Sequence, residues 1–100
     1  MKRVGYWRSP GEPSLPDARD HVDLGWHPTQ RLPVVEHLKR GSAHEAYFGW
    51  STCRICGKPN GNLDLTDGAY VWPEGLLHYV VEHHVRPPAD FIEHVLGARS

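Results

Sequence analysis

The chain has 100 residues, a formal net charge of −1 with histidines neutral, and 39 % hydrophobic residues, four tryptophans and four tyrosines among its aromatics. That is enough apolar material for one small core and too much for a disordered tail, while the near-neutral charge argues against broad electrostatic binding to nucleic acid or to an anionic membrane. No stretch approaches the ~18 consecutive apolar residues of a membrane span, and the basic start MKRVGYWRSPG lacks the apolar run of a signal peptide, so the expectation is one soluble, cytoplasmic domain with no membrane partner.

Residues 1–26 read as an irregular arm. Pro10, Pro13 and Pro16 forbid a regular element across SPGEPSLPDARD. Tyr6, Trp7, Leu15 and Trp26 either anchor the arm on the domain or display it to a partner. Residues 27–48 predict a helix followed by a strand. The helix runs through HPTQRLPVVEHLKRG, with Pro28 in its first turn and Pro33 tolerable only near that turn. Leu32, Val34, Val35 and Leu38 form its inward face, Lys39 and Arg40 suit its negative end, and Gly41 closes it. His37 reads as a surface or satisfied histidine before it reads as a ligand. A strand is expected from about residue 43 to 48.

Residues 49–97 hold a knuckle, a hairpin, a helix and a short last helix. In NLDLTDGAYVW, Asp67-Gly68 fits a two-residue type I′ turn. That turn sets Leu65 opposite Tyr70 and Leu63 opposite Trp72, making one apolar face. Pro73 and Glu74 suit the next helix start, Leu76, Leu77, Val80 and Val81 form its apolar stripe, and Pro87 and Pro88 force its end by Val85 or Arg86. Trp72-Pro73-Glu74-Gly75 reads as structural, with Gly75 allowing close packing; the functional alternative makes Tyr70, Trp72 and Glu74 the border of a recognition surface. Phe91, Ile92 and Val95 face inward from the last helix, ADFIEHVLG.

The two cysteines sit together in WSTCRICGKPNG, as Cys53-x-x-Cys56-Gly57. A lone disulfide is unexpected in a reducing cytosol, where such a pair is more often metal-binding or catalytic. A thioredoxin-like redox pair would open a long helix that lowers a thiol pKa, but turn-forming Gly-Lys-Pro-Asn-Gly follows Cys56. Twenty-one residues separate Cys56 from His78, and His83 and His84 come soon after. Cysteine knuckle, hairpin, then histidines on a helix is the ββα logic of a Cys2His2 zinc site. The expected ligands to Zn2+ are Cys53, Cys56, His78 and His83. His84 is the alternate for the last. On an ideal helix His83 diverges from His78 by roughly 140° and His84 by roughly 120° the other way, so either needs a loosened final turn.

The pattern C-R-x-C-G, N-G, L-T-D-G, W-P-E-G-L-x-H-Y-V, with a later V-R-x-P, resembles a family of small, mostly uncharacterised bacterial proteins. The likeness extends to YWR and GW…YF and so covers most of the chain. Its helix reads H-Y-V-x-x-H, which implies His78 and His83. The resemblance implies the zinc site and the fold; it implies no activity.

A Cys2His2 site is closed and cannot easily activate water. The H-x-E…P-C-x-x-C of zinc deaminases and the H-E-x-x-H of metalloproteases are both absent. A metal-dependent nuclease or hydrolase would need a second cluster, such as His44 with His84 or His94. The expectation is therefore a small α+β zinc-stabilised domain and not an enzyme: a protein-interaction module with an unidentified protein partner. A nucleic-acid-binding finger is the alternative. Charge disfavours it, because residues 58–100 carry Lys58, Arg86 and Arg99 against Asp64, Asp67, Glu74, Glu82, Asp90 and Glu93.

Overall fold

The computed structural model describes residues 1–97, with residues 47–50 described by their backbone alone. The first helix, α1 (Pro28–Lys39), begins on His27, whose Nδ1 accepts the Thr29 N–H at 3.1 Å. Pro28 takes the first helical position, where an N–H would lack a partner. Pro33 lies inside α1 and removes the N–H that would bond the Thr29 carbonyl. Val34, Val35 and Leu38 are buried, but Leu32 is 54 % exposed, a correction to its expected inward position. Steps of three residues fall short of a full turn by roughly 60° each, so Leu32 lies well around the helix from Leu38.

Four strands follow the sheet order β1-β4-β3-β2: β1 (Lys2–Arg3), β2 (Ser42–Thr52), β3 (Pro59–Thr66) and β4 (Tyr70–Pro73). β1 runs parallel to β4, and the other pairs are antiparallel. With α2 (Leu76–His83) and α3 (Ala89–Gly97), the described residues form an α+β domain with a mixed sheet. The arm is not wholly irregular, because it contributes β1 and a 3-10 turn at Ala18–His21. Val4, Trp7, Ala18 and Trp26 of this segment are buried. Val22 bridges to Val85, and the Asp23 N–H donates to the His84 carbonyl at 2.9 Å, so the arm closes over the end of α2.

The β3–β4 hairpin corrects the expected register. Leu65 lies opposite Trp72 and Thr66 opposite Val71, two residues from the type I′ pairing. The side chain of Asp67 is the cause. Its Oδ1 accepts the Ala69 and Tyr70 N–H groups at 2.9 and 2.8 Å, while the Thr66 hydroxyl donates to the Tyr70 carbonyl at 2.7 Å. These bonds spread the turn over Asp67–Ala69. A shift of two preserves the faces, so Leu63, Leu65, Tyr70 and Trp72 still share one.

That face meets the helices. Trp72 and Phe91 are fully buried, with ring centroids 5.9 Å apart, and Leu38 is buried from α1. A Cβ added at Gly41 would lie 2.6 Å from the Trp72 ring, so glycine lets the chain cross this indole as α1 gives way to β2. Gly75 has a similar role, since a Cβ there would meet the Asn60 side chain at 2.5 Å. Glu74 Oε1 accepts the Asn62 and Leu63 N–H groups at 2.9 and 3.3 Å, tying the start of α2 to β3. Of the expected α2 stripe, Leu76 and Val80 are buried and Leu77 half-buried, whereas Val81 is exposed.

Buried Tyr70 donates its hydroxyl to Asp90 Oδ2 at 2.7 Å, joining β4 to α3. This bond, with burial and the Asp90 charge, pushes the Tyr70 hydroxyl up to about 12. A group whose folded pKa is raised stabilises fully below its unfolded pKa, and the gain is lost as pH rises through the folded value. Wild-type stability should therefore fall between about pH 10 and 12. Tyr70→Phe is expected to lose about 1 kcal/mol at neutral pH and to show a shallower alkaline fall, measured by urea unfolding across that range.

Candidate metal centre

The knuckle is built by backbone geometry. The Cys53 N–H donates to the Lys58 carbonyl and the Cys53 carbonyl accepts the Gly57 N–H, both at 2.9 Å. Gly57 holds φ +76°, a conformation that L side chains rarely adopt, so glycine closes the loop directly after Cys56. The Ile55 N–H points at Cys53 Sγ from 3.4 Å, which fixes the direction of that side chain. Cys53 is buried and Cys56 exposed; both are free thiols.

α2 brings the histidines to this loop. Donor atoms of Cys53, Cys56, His78 and His83 all lie within 4.8 Å of one another, close enough to hold a metal ion. Cys56 Sγ is 3.3 Å from His78 Nε2. Tetrahedral zinc, with bonds of ~2.3 Å to sulfur and ~2.05 Å to nitrogen, would set such a pair roughly 3.5 Å apart. The His78 and His83 rings lie 5.1 Å apart by centroid. His83 Nε2 is buried with no hydrogen-bond partner, which is costly for an imidazole nitrogen unless another bond satisfies it.

The end of α2 decides where the two neighbouring histidines go. His84 caps the helix in the left-handed region, φ 52° and ψ 33°, and the Val85 N–H that follows it reaches back to the Tyr79 carbonyl at 3.1 Å. α2 therefore stops at His83, earlier than Pro87 and Pro88 suggest. His83 turns toward the knuckle, and His84 stays outside the cluster.

Burial first, and the neighbouring His83 second, hold His78 below the usual imidazole range. The neutral ring is the form that ligates metals. Tyr79, one residue on, accepts the Arg54 N–H at 2.7 Å. From the other side Arg19 Nη2 donates to the Arg54 carbonyl at 2.6 Å. The peptide groups on both sides of Arg54, between the cysteines, are thus held by α2 and by the arm. Burial is the main cause that pushes the Tyr79 hydroxyl up, and the Trp7 ring packs edge-on against it at 6.0 Å.

Residues 16–96 match the model of a family described as Domain of unknown function (DUF7919). The chain belongs to the DUF7919 family. Both the cysteine knuckle and α2 fall within the matched DUF7919 segment. No curated protein and no solved structure matches the chain.

This DUF7919 domain holds a second cluster, which sequence reasoning missed. His37 from α1, Asp67 from the hairpin turn and His94 from α3 bring their donor atoms together. His94 meets Asp67 and His37, not His44 or His84, and His44 is exposed on β2. Intervals of 30 and 27 residues separate the partners of Asp67, and no local motif marks such spacing.

Two substitutions separate the neighbouring histidines. His83→Ala is expected to abolish the thiolate-to-metal charge-transfer band of the cobalt-loaded protein, or to alter it strongly. His84→Gly is expected to keep that band and to raise stability by about 1 kcal/mol through relief of left-handed strain. Cobalt absorption and thermal melts check both.

Proposed function

We propose that this chain is a protein-interaction module whose fold is held by a structural zinc ion on Cys53, Cys56, His78 and His83. The observation that carries the reading is the convergence of these four donors within 4.8 Å. Two thiolates and two imidazoles suit zinc in a closed tetrahedron. Bound there, zinc would cross-link the knuckle to α2 and leave no position for water. The orphaned His83 nitrogen supports a cation in the cluster.

Charge placement supports a protein partner over nucleic acid. Lys39 pairs with Glu36, Arg86 with Asp23 and Arg19 with Asp17, so these cations are locally countered. A duplex would require a continuous basic face. β2 supplies a complementary feature: it is a long strand at the edge of the sheet. An extended segment of another protein could add to such an edge through backbone hydrogen bonds.

Elemental analysis of the native chain should find zinc bound through both thiols, which become titratable only on denaturation or chelation. Cys56→Ser is expected to lose that zinc and several kcal/mol of stability; an unchanged melt without the metal would overturn the structural role. A photo-crosslinker at exposed His44 should capture protein. Tight, steeply salt-dependent binding to random-sequence DNA or RNA would instead favour the nucleic-acid reading.

A further inference from the structure

The cluster of His37, Asp67 and His94 has a geometry that a simple surface ion pair does not require. Asp67 Oδ2 lies 2.7 Å from Nε2 of both histidines. Its other oxygen is fixed by the two backbone N–H groups of the hairpin turn. One oxygen is thus anchored by the fold, and the other is presented to two imidazoles. A metal-ligating carboxylate is commonly oriented in this way by hydrogen bonds to the oxygen it does not use.

The imidazoles are equally placed by packing. The His37 ring lies 5.8 Å from Trp72 and 6.0 Å from Phe91. The His94 ring lies 4.9 Å from Tyr70. The two imidazoles stand at 88° to one another with centroids 5.8 Å apart, and both direct Nε2 at the same point. Side-chain exposure is 17 % for His37, 14 % for Asp67 and 31 % for His94, so the cluster is set into the surface yet reachable from water. Backbone bonds already stabilise the Asp67 carboxylate: burial opposes its charge, but the Tyr70 and Ala69 N–H groups and both histidines outweigh that and hold it well below the usual range.

We propose that His37, Asp67 and His94 form a second metal site, which binds a divalent transition metal ion through Nε2, Oδ2 and Nε2. Bonds of ~2.1 Å would set neighbouring ligand atoms roughly 3.0 Å apart in an octahedral site and roughly 3.4 Å apart in a tetrahedral one, so the observed 2.7 Å pairs would open by about 0.3–0.7 Å, within reach of small side-chain rotations. The donor set contains no thiolate. It suits zinc, iron(II), cobalt(II) or nickel(II) and does not favour copper(I). Unlike a Cys2His2 tetrahedron, three protein ligands leave at least one coordination position for water or a small anionic ligand. The site shares no residue with the cysteine cluster. It joins α1, the hairpin turn and α3, and its ligands come from all three.

The test uses the full chain with its cysteine site first filled by zinc and excess metal removed. Cobalt(II) is then titrated and followed by absorption. The expected result is a further equivalent of cobalt with visible ligand-field bands and no sulfur-to-cobalt charge transfer. His94→Ala and Asp67→Asn should each weaken this binding at least ~10-fold while the first zinc is retained. If Asp67→Asn fails to fold, His94→Ala decides, with far-UV circular dichroism and retained zinc as its folding controls. Binding of no further cobalt by the wild-type chain, or binding unchanged in His94→Ala, would reduce the cluster to a hydrogen-bonded clamp. A second equivalent that brings thiolate charge transfer would place it at the cysteines and also overturn the proposal.

Discussion

The Arg54 segment is where the parts of this small domain are locked together. Tyr79 takes its N–H and Arg19 its carbonyl, at 2.7 and 2.6 Å. The first bond fixes α2 to the knuckle; the second fixes the arm to it. Because Arg54 lies between Cys53 and Cys56, the same two bonds hold the cysteines in reach of His78 and His83. A chain of 100 residues has little core with which to enforce such an arrangement by packing alone. Hydrogen bonds to a loop backbone achieve it with few residues. Tyr79 makes its bond from a buried position with Trp7 packed on its ring, and Arg19 makes the other from the exposed side.

The two histidine clusters draw on opposite chemical resources. Around the knuckle, sulfur supplies half the donors, and burial disfavours the charged form of His78. Around Asp67, a carboxylate held by backbone N–H groups supplies the charge, and both imidazoles approach the same oxygen. The first cluster is made by two stretches that follow one another in the chain. The second depends on α1, the hairpin and α3 all being packed, and Trp72 and Phe91 at its base are core residues. The first is therefore available as soon as α2 meets the knuckle, whereas the second is a product of the finished fold.

That difference explains what the sequence made legible. A C-x-x-C loop with a glycine after it, and histidines on a following helix, are readable because ligand spacing is local to each element. Choosing between His83 and His84 required the helix end, and only the left-handed turn at His84 settles where each points. The apolar face of the hairpin was readable from alternation. Its register was not, because Asp67 spends its side chain on the turn backbone and lengthens the loop. Spacing places Leu32 and Val81 on apolar stripes, yet both are exposed. His37 and His94 carry no signature at all: each becomes notable only when tertiary packing aims it at Asp67.

The pairing of β1 with β4 bears on how this protein comes to be made. Lys2 and Arg3 lie alongside Tyr70 and Val71, in parallel. On the ribosome, residues 2–3 emerge long before residues 70–71 exist. β1 therefore stays without its partner strand while α1, β2 and the knuckle are synthesised, and it can pair only once residues 70–71 have emerged. Contacts of such wide separation slow folding. A nascent chain of this protein thus passes through a stage in which Val4 and Trp7, buried in the finished domain beside Val71 and Tyr79, still lack those partners. That stage, and not the finished domain, is where a chaperone would find its apolar handle.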